Sequence, residues 1–203
     1  MRLLTLAVAI AAALSIAACG GDTESAPPTI GVQTDLGELL VDIAPPGFTL
    51  VADPERSGPI HIGDVVSLEA GTGQEGANVA AFGFLDGYQK TFTGPTPDEG
   101  LYATIEQYTS PEGAAERFAD ATERADAIEG RTGFDVPTIP DAHGNTFSGA
   151  AEGLADTRLL QVLFPFENTV VRIERTTTAG SPVTPQDVIT LAEQQRRVLE
   201  VHA

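Results

Sequence analysis

Tryptophan is absent from this chain of 203 residues, and cysteine, methionine and lysine each occur once. One cysteine cannot close an internal disulfide, so any folded body here stands on its apolar core alone. Paired His or Cys ligands at short spacing, the signature of a zinc site, are missing as well. His61, His143 and His202 lie far apart, and His202 is the penultimate residue. Positive charge is scarce: 11 Lys and Arg stand against 29 Asp and Glu, for a net charge of −18. Nucleic-acid binding needs a basic footprint and is excluded on that ground. Attraction of the body to anionic lipid headgroups is disfavoured for the same reason. An acidic surface of this kind keeps a protein soluble and apart from its own copies.

Long apolar runs are missing, with one exception. Residues 3–18 are almost entirely apolar and follow Arg2. A basic start and then a hydrophobic core is the layout of a secretory signal. The run is shorter than the roughly 20 residues of a permanent membrane span, and no basic cluster follows to fix it as one. It ends in Ile16-Ala17-Ala18-Cys19, ahead of a small polar stretch. That quartet resembles the lipobox of bacterial lipoproteins, in which the cysteine becomes the new N-terminus after cleavage. The resemblance implies a diacylglyceryl group on the Cys19 thiol, with the freed amine open to acylation in turn. One acyl chain holds a protein to a bilayer only marginally, whereas two or three hold it stably at roughly 0.8 kcal/mol per buried CH₂. Lipidation of Cys19 also accounts for a lone cysteine in an oxidising compartment.

The expected organisation is a lipoprotein signal peptide over 1–18, the lipidated cysteine and a flexible tether over 19–40, and one globular domain over 41–203. "GGDTESAPPTIGVQT", residues 20–34, is rich in Gly, Pro, Ser and Thr and reads as tether. Pro45-Pro46-Gly47 forces a break before a short strand over 48–51. "IGDVVSLEAG" reads as a short helix closed by Gly71. In "VAAFGFLDGYQKTF", Phe82, Phe84, Tyr88 and Phe92 share one parity, a period-two strand pattern. "LYATIEQY" alternates too, with Leu101, Ala103 and Ile105 on one face, so the two segments pair as a hairpin. Ser110-Pro111-Glu112 starts a helix whose stripe is Ala114, Phe118, Ala121, Ala125 and Ile128, with Gly130 as its stop. "FDVPTIPDAHGNTF" reads as a loop because of its two prolines. "TRLLQVLF" and "TVVRIERT" flank "PFEN" as a second hairpin. Thr184-Pro185-Gln186-Asp187 opens a last amphipathic helix with a capping box. Strand runs mixed with helices, without βαβ alternation, predict an α+β fold: an antiparallel sheet of two hairpins with two main helices on one face.

Chemistry leaves little trace. No G-x-S-x-G elbow is present, and the one cysteine is committed to the anchor. Asp141-Ala142-His143 has ligand types but turn spacing, and Asp, His and Asn are ordinary turn residues. The acidic fragments at Asp86-Gly87 and Pro97-Asp98-Glu99-Gly100 fall short of a calcium loop. "GTGQEG" at 71–76 lacks the lysine of a phosphate cradle. No catalytic residue, cofactor or metal is therefore expected. Two features suit binding. The aromatic group Phe82, Phe84, Tyr88 and Phe92, with Tyr102 and Tyr108 beside it, reads first as core and second as the lining of an apolar pocket. Phe164-Pro165-Phe166, at an expected hairpin tip, reads as core or as a partner contact.

"YTSPEGAAERFAD", "NTVVRIER" and "LAEQQRRVL", together with the lipobox and a composition rich in Ala, Gly and Arg, resemble exported actinobacterial lipoproteins. The resemblance implies a location and an α+β shape, with no site residue to carry over. Two functions follow as expectations. One is a non-catalytic binding or interaction module, lipid-anchored at the cell membrane and facing the extracytoplasmic side, with a small apolar ligand or an envelope protein as partner. The other is an envelope hydrolase whose residues converge only in three dimensions.

Overall fold

The computed structural model describes residues 30–31, 35–42, 44–64, 75–148 and 156–203. Its elements are α1 (Leu36–Leu39), β1 (Thr49–Leu50), β2 (Gly58–Ile60), α2 (Glu75–Ala81), β3 (Phe84–Thr93), β4 (Gly100–Tyr108), α3 (Pro111–Asp126), β5 (Arg131–Phe134), β6 (His143–Ser148), β7 (Thr157–Phe166), β8 (Thr169–Thr178) and α4 (Pro185–His202). The strands form one antiparallel sheet of eight, ordered β1-β3-β4-β8-β7-β6-β5, with β2 also paired to β3. The two long hairpins, β3–β4 and β7–β8, meet where β4 pairs with β8 at the centre.

The two main helices lie on opposite faces of this sheet, not on one. Leu101, Ala103 and Ile105 of β4, Leu160, Val162 and Phe164 of β7, and Val171 and Ile173 of β8 share a core with Val188, Ile189, Ala192 and Leu199 of α4. The opposite parity places Tyr108, Leu163 and Val170 against Ala114 and Ala121 of α3. The physical reason stands in β7. Its run Leu159-Leu160-Gln161-Val162-Leu163-Phe164 does not alternate cleanly, as expected of a strand buried on both faces.

Three further differences have local causes. Residues 75–81 are helical, and β3 begins only at Phe84, after a turn in which Gly83 takes φ +81°. Gly113 lets the first turn of α3 close on that turn, because a Cβ there would meet the Phe82 carbonyl at 2.1 Å. The stretch expected as a loop holds the β5–β6 hairpin, with Pro137 and Pro140 confined to the connection between the strands. α3 ends at Asp126, and Gly130, at φ +81°, serves the turn into β5. Most of the helix expected over 62–71 lies outside the described residues.

A register shift between Phe84 and Asp86 breaks the aromatic row of β3. Phe82 and Phe84 pack with the α3-side core, whereas Tyr88 and Phe92 pack with the α4-side core. Proline is tolerated at 165 because β6 begins only opposite Leu163, so no neighbour asks for its missing N–H on that edge.

The N-terminal segment is fastened along the α4 side. Ile30, Leu36, Leu39 and Leu40 are buried in that core. Gln195 of α4 accepts from the Val41 N–H at 2.8 Å and donates to the Leu39 carbonyl at 2.7 Å. The Lys90 ammonium donates to the Leu40 carbonyl at 2.9 Å and pairs with Asp42 at 2.5 Å.

Candidate functional site

Cys19, the residue singled out for lipidation, lies outside the described residues, as do residues 71–74 of the glycine-rich turn. The polar chemistry of the folded body gathers on the α3 face of the sheet. β4 turns Glu106 and Tyr108 toward that face, and α3 inserts Arg117 against them. The Arg117 Nε donates to Glu106 Oε2 at 2.9 Å and Nη2 to Oε1 at 3.3 Å. The Tyr108 hydroxyl donates to the same carboxylate at 2.7 Å, and Arg172 of β8 approaches it at 3.9 Å. Arg117 Nη1 also lies 3.5 Å from Asp120, which pairs in turn with Arg124.

Arg117, Glu106 and Tyr108 are all buried. Burial pushes the Glu106 carboxyl up, yet the charges of Arg117 and Arg172 and the hydrogen bonds from Arg117 and Tyr108 together hold it below the ordinary carboxylate value. The Tyr108 phenol is pushed up by burial and by the neighbouring carboxylate, so it stays a neutral donor. This knot ties α3 to the middle of the sheet.

A second array crosses four adjacent strands. Arg131 Nε of β5 donates to Asn145 Oδ1 of β6 at 2.6 Å. The Asn145 amide donates to Gln161 Oε1 of β7 at 3.1 Å, and the Gln161 amide donates to Glu174 Oε1 of β8 at 2.7 Å. Tyr102 of β4 is the cross-strand partner of Glu174. At the β5 end, Asp126 pairs with Arg131 at 2.7 Å and with His143 Nε2 at 2.8 Å, and Arg131 Nη2 stands 2.9 Å from the same ring nitrogen. His143 is thus held in the array at the start of β6 rather than solvated in a turn.

Such a row fixes the orientation of each amide and carboxylate, with Asn145 and Gln161 buried inside it and Arg131 and Glu174 half-buried at its ends. The nitrogen that a histidine base would use is shared here between a carboxylate and a guanidinium. The other histidines stand elsewhere. His61 is exposed beyond β2, and His202 Nδ1 bonds the Val198 carbonyl at the end of α4. Asp141 sits at φ +57° in the turn before β6, and the Asp86 carboxylate accepts from the Gly87 N–H at 2.9 Å. Among the described residues, no group of three or more His, Cys, Asp or Glu is placed to hold a metal ion.

The binding features expected from the aromatics resolve differently. Phe164 is buried in the α4-side core, and Phe166 packs against it under the Arg196 guanidinium. The hairpin turn itself is Glu167-Asn168, with Glu167 at φ +52°. A crevice between Val41, Phe92, Leu101, Ala103, Ile173 and Leu191 has a volume of about 10 Å³, the size at which a single water begins to fit.

The Glu106–Arg117 pair and the four-strand array escape a reading of the sequence, since alternation alone assigns Glu106 and Gln161 to solvent. One signal was available. Arg117 falls three residues after Ala114 and four before Ala121, inside the apolar stripe of α3, and a charge in such a stripe needs a buried partner.

Taken together, the described residues form an α+β body: one large antiparallel sheet between helices on its two faces. No family model matches the chain, and no curated protein sequence matches it either. Among solved structures it is similar to the extracellular domain of PknH from Mycobacterium tuberculosis, with 12% identity, a TM-score of 0.50, and coverage of 80% of this chain and 95% of that one. At that identity the likeness is one of fold. No helix among the described residues is long and apolar enough to cross a membrane.

Proposed function

We propose that this chain is a non-catalytic binding or interaction module, held to the outer side of the cytoplasmic membrane by lipid on Cys19. The observation that carries the reading is the position of Cys19. It closes a signal-like apolar run at a lipobox-like quartet, ahead of a body that can fold without a disulfide. The fold likeness to an extracellular domain supports the same side of the membrane. A crevice of only about 10 Å³ favours an envelope protein as partner over capture of an apolar ligand. The aromatic side chains are largely taken up by the two cores.

Replacing Cys19 tests the anchor directly. The wild-type chain, expressed in a bacterium that processes lipoproteins, should partition with membranes and carry the added mass of two or three acyl chains. Cys19→Ala should release the folded body to the soluble extracytoplasmic fraction. Equal membrane retention of both forms would overturn the reading.

A further inference from the structure

The two ends of the sheet differ in one respect: one end grips the chain that leads back to Cys19. Asn168, buried in the β7–β8 turn, accepts from the Ile30 N–H at 2.9 Å and donates to the Ile30 carbonyl at 3.3 Å. Its side-chain amide also donates to the Tyr108 carbonyl at 2.9 Å, while the main-chain carbonyl of Asn168 accepts from the Tyr108 N–H at 2.8 Å. Gln107, buried at the end of β4, donates to the Ile30 and Gly31 carbonyls at 3.1 and 3.2 Å. A carboxamide presents the same donor and acceptor pair as a peptide bond. The two side chains therefore give the backbone of Ile30 what a neighbouring strand would give it. Gln195 repeats the device at Leu39 and Val41, so a pull on the N-terminal segment is resisted at two places.

We propose that the Asn168–Gln107 clip sets where the tether leaves the body, and so holds the β7–β8 turn end toward the lipid surface and the opposite, Gly100–Thr176 end away from it. This rests on lipid attachment at Cys19. Ten residues, 20–29, then separate the anchor from Ile30, and a flexible linker of that length spans about 16–19 Å at 5–6 Å × √n. β8 runs away from the clip over Thr169–Thr178, roughly 30 Å at 3.3 Å per residue. The tether is thus shorter than the body is long, and the clipped end stays the nearer one on average. Glu167 in the turn and Glu112 in the first turn of α3 stand at that end. Their charge keeps it from settling onto anionic headgroups.

The test uses the acylated full chain in phosphatidylcholine vesicles. Acylation blocks the Cys19 thiol, so one introduced cysteine takes a fluorophore, either in Glu112→Cys near the clip or in Gly180→Cys past the far end of β8. Lipid bearing a nitroxide at its headgroup should quench the Glu112→Cys label several-fold more strongly than the Gly180→Cys label. Equal or reversed quenching on protein of verified acyl mass overturns the orientation while leaving the anchor standing. Absence of the acyl mass overturns both. Twenty Gly/Ser residues inserted after Ser25, five residues before the clip, should flatten the difference; a gradient indifferent to that insertion would likewise sink the proposal.

Discussion

Glu106 is the residue on which the α3 face turns. Its carboxylate receives Arg117, Tyr108 and, at longer range, Arg172, all in a dry setting. Glu106→Ala takes from the buried Arg117 guanidinium its nearest counter-charge and leaves it Asp120 at 3.5 Å, and breaking such a buried pair costs about 3–5 kcal/mol. Urea unfolding of the variant should show a loss of that size. Replacing Glu106 with Leu and Arg117 with Met together should cost less than either change alone, because no lone charge is then buried. The pH dependence has a definite sign. The folded carboxyl lies below its ordinary value, so its contribution is complete above the ordinary carboxylate range and fades as pH falls through the folded value. The gap in stability between wild type and Glu106→Gln should therefore narrow on acidification. A gap that widens would contradict the assignment. None of this was legible in β4 alone, where a Glu beside alternating Leu, Ala and Ile reads as solvent-facing. It becomes legible only when Arg117 is noticed within the stripe of its own helix.

Helix starts were the most legible elements, because a cap is a local matter. The Ser110 hydroxyl accepts from the Gly113 N–H at 3.1 Å, with Pro111 following. At α4, Asp187 accepts from both the N–H and the hydroxyl of Thr184, at 2.7 and 2.8 Å. Those hydrogen bonds hold the Asp187 carboxyl below its ordinary value. Asp187→Asn should cost about 0.5 kcal/mol at neutral pH, since Asn keeps an acceptor but loses the charge at the helix start. The contribution is present above the ordinary carboxylate range and is lost as the carboxyl protonates, so the cost should vanish in acid. Thermal melts across that range would show it, and a cost that persists unchanged would refute it. Less legible were elements whose cues are tertiary. β5 and β6 are short and contain Gly133 and Gly144. Gly144 lies so close to Phe134 that a Cβ would meet the ring at 2.4 Å. Only the paired hairpin explains that glycine, and the two prolines hid the pairing. The side of the sheet on which each helix sits was equally hidden, since an apolar stripe specifies burial and not which face supplies it.

At the scale of the whole molecule, composition was informative about surroundings and silent about the partner. A net charge of −18 on 203 residues means that the folded body works against its own repulsion. Added salt screens that repulsion over a Debye length of about 8 Å at physiological ionic strength. The midpoint of thermal unfolding should accordingly rise from low to moderate sodium chloride, and a falling midpoint would show that attractive pairs outweigh the excess acid. Lys90 has a consequence of another kind. The chain's sole ε-amine is buried, paired with Asp42 and engaged by the Leu40 carbonyl. Reagents that seek primary amines, from succinimidyl dyes to acetyl donors, therefore meet no reactive side chain on this surface. In a mature form beginning at Cys19, the terminal nitrogen would be the one nucleophile left to them. Its silence or reactivity would tell a triacylated anchor from a diacylated one without opening the fold.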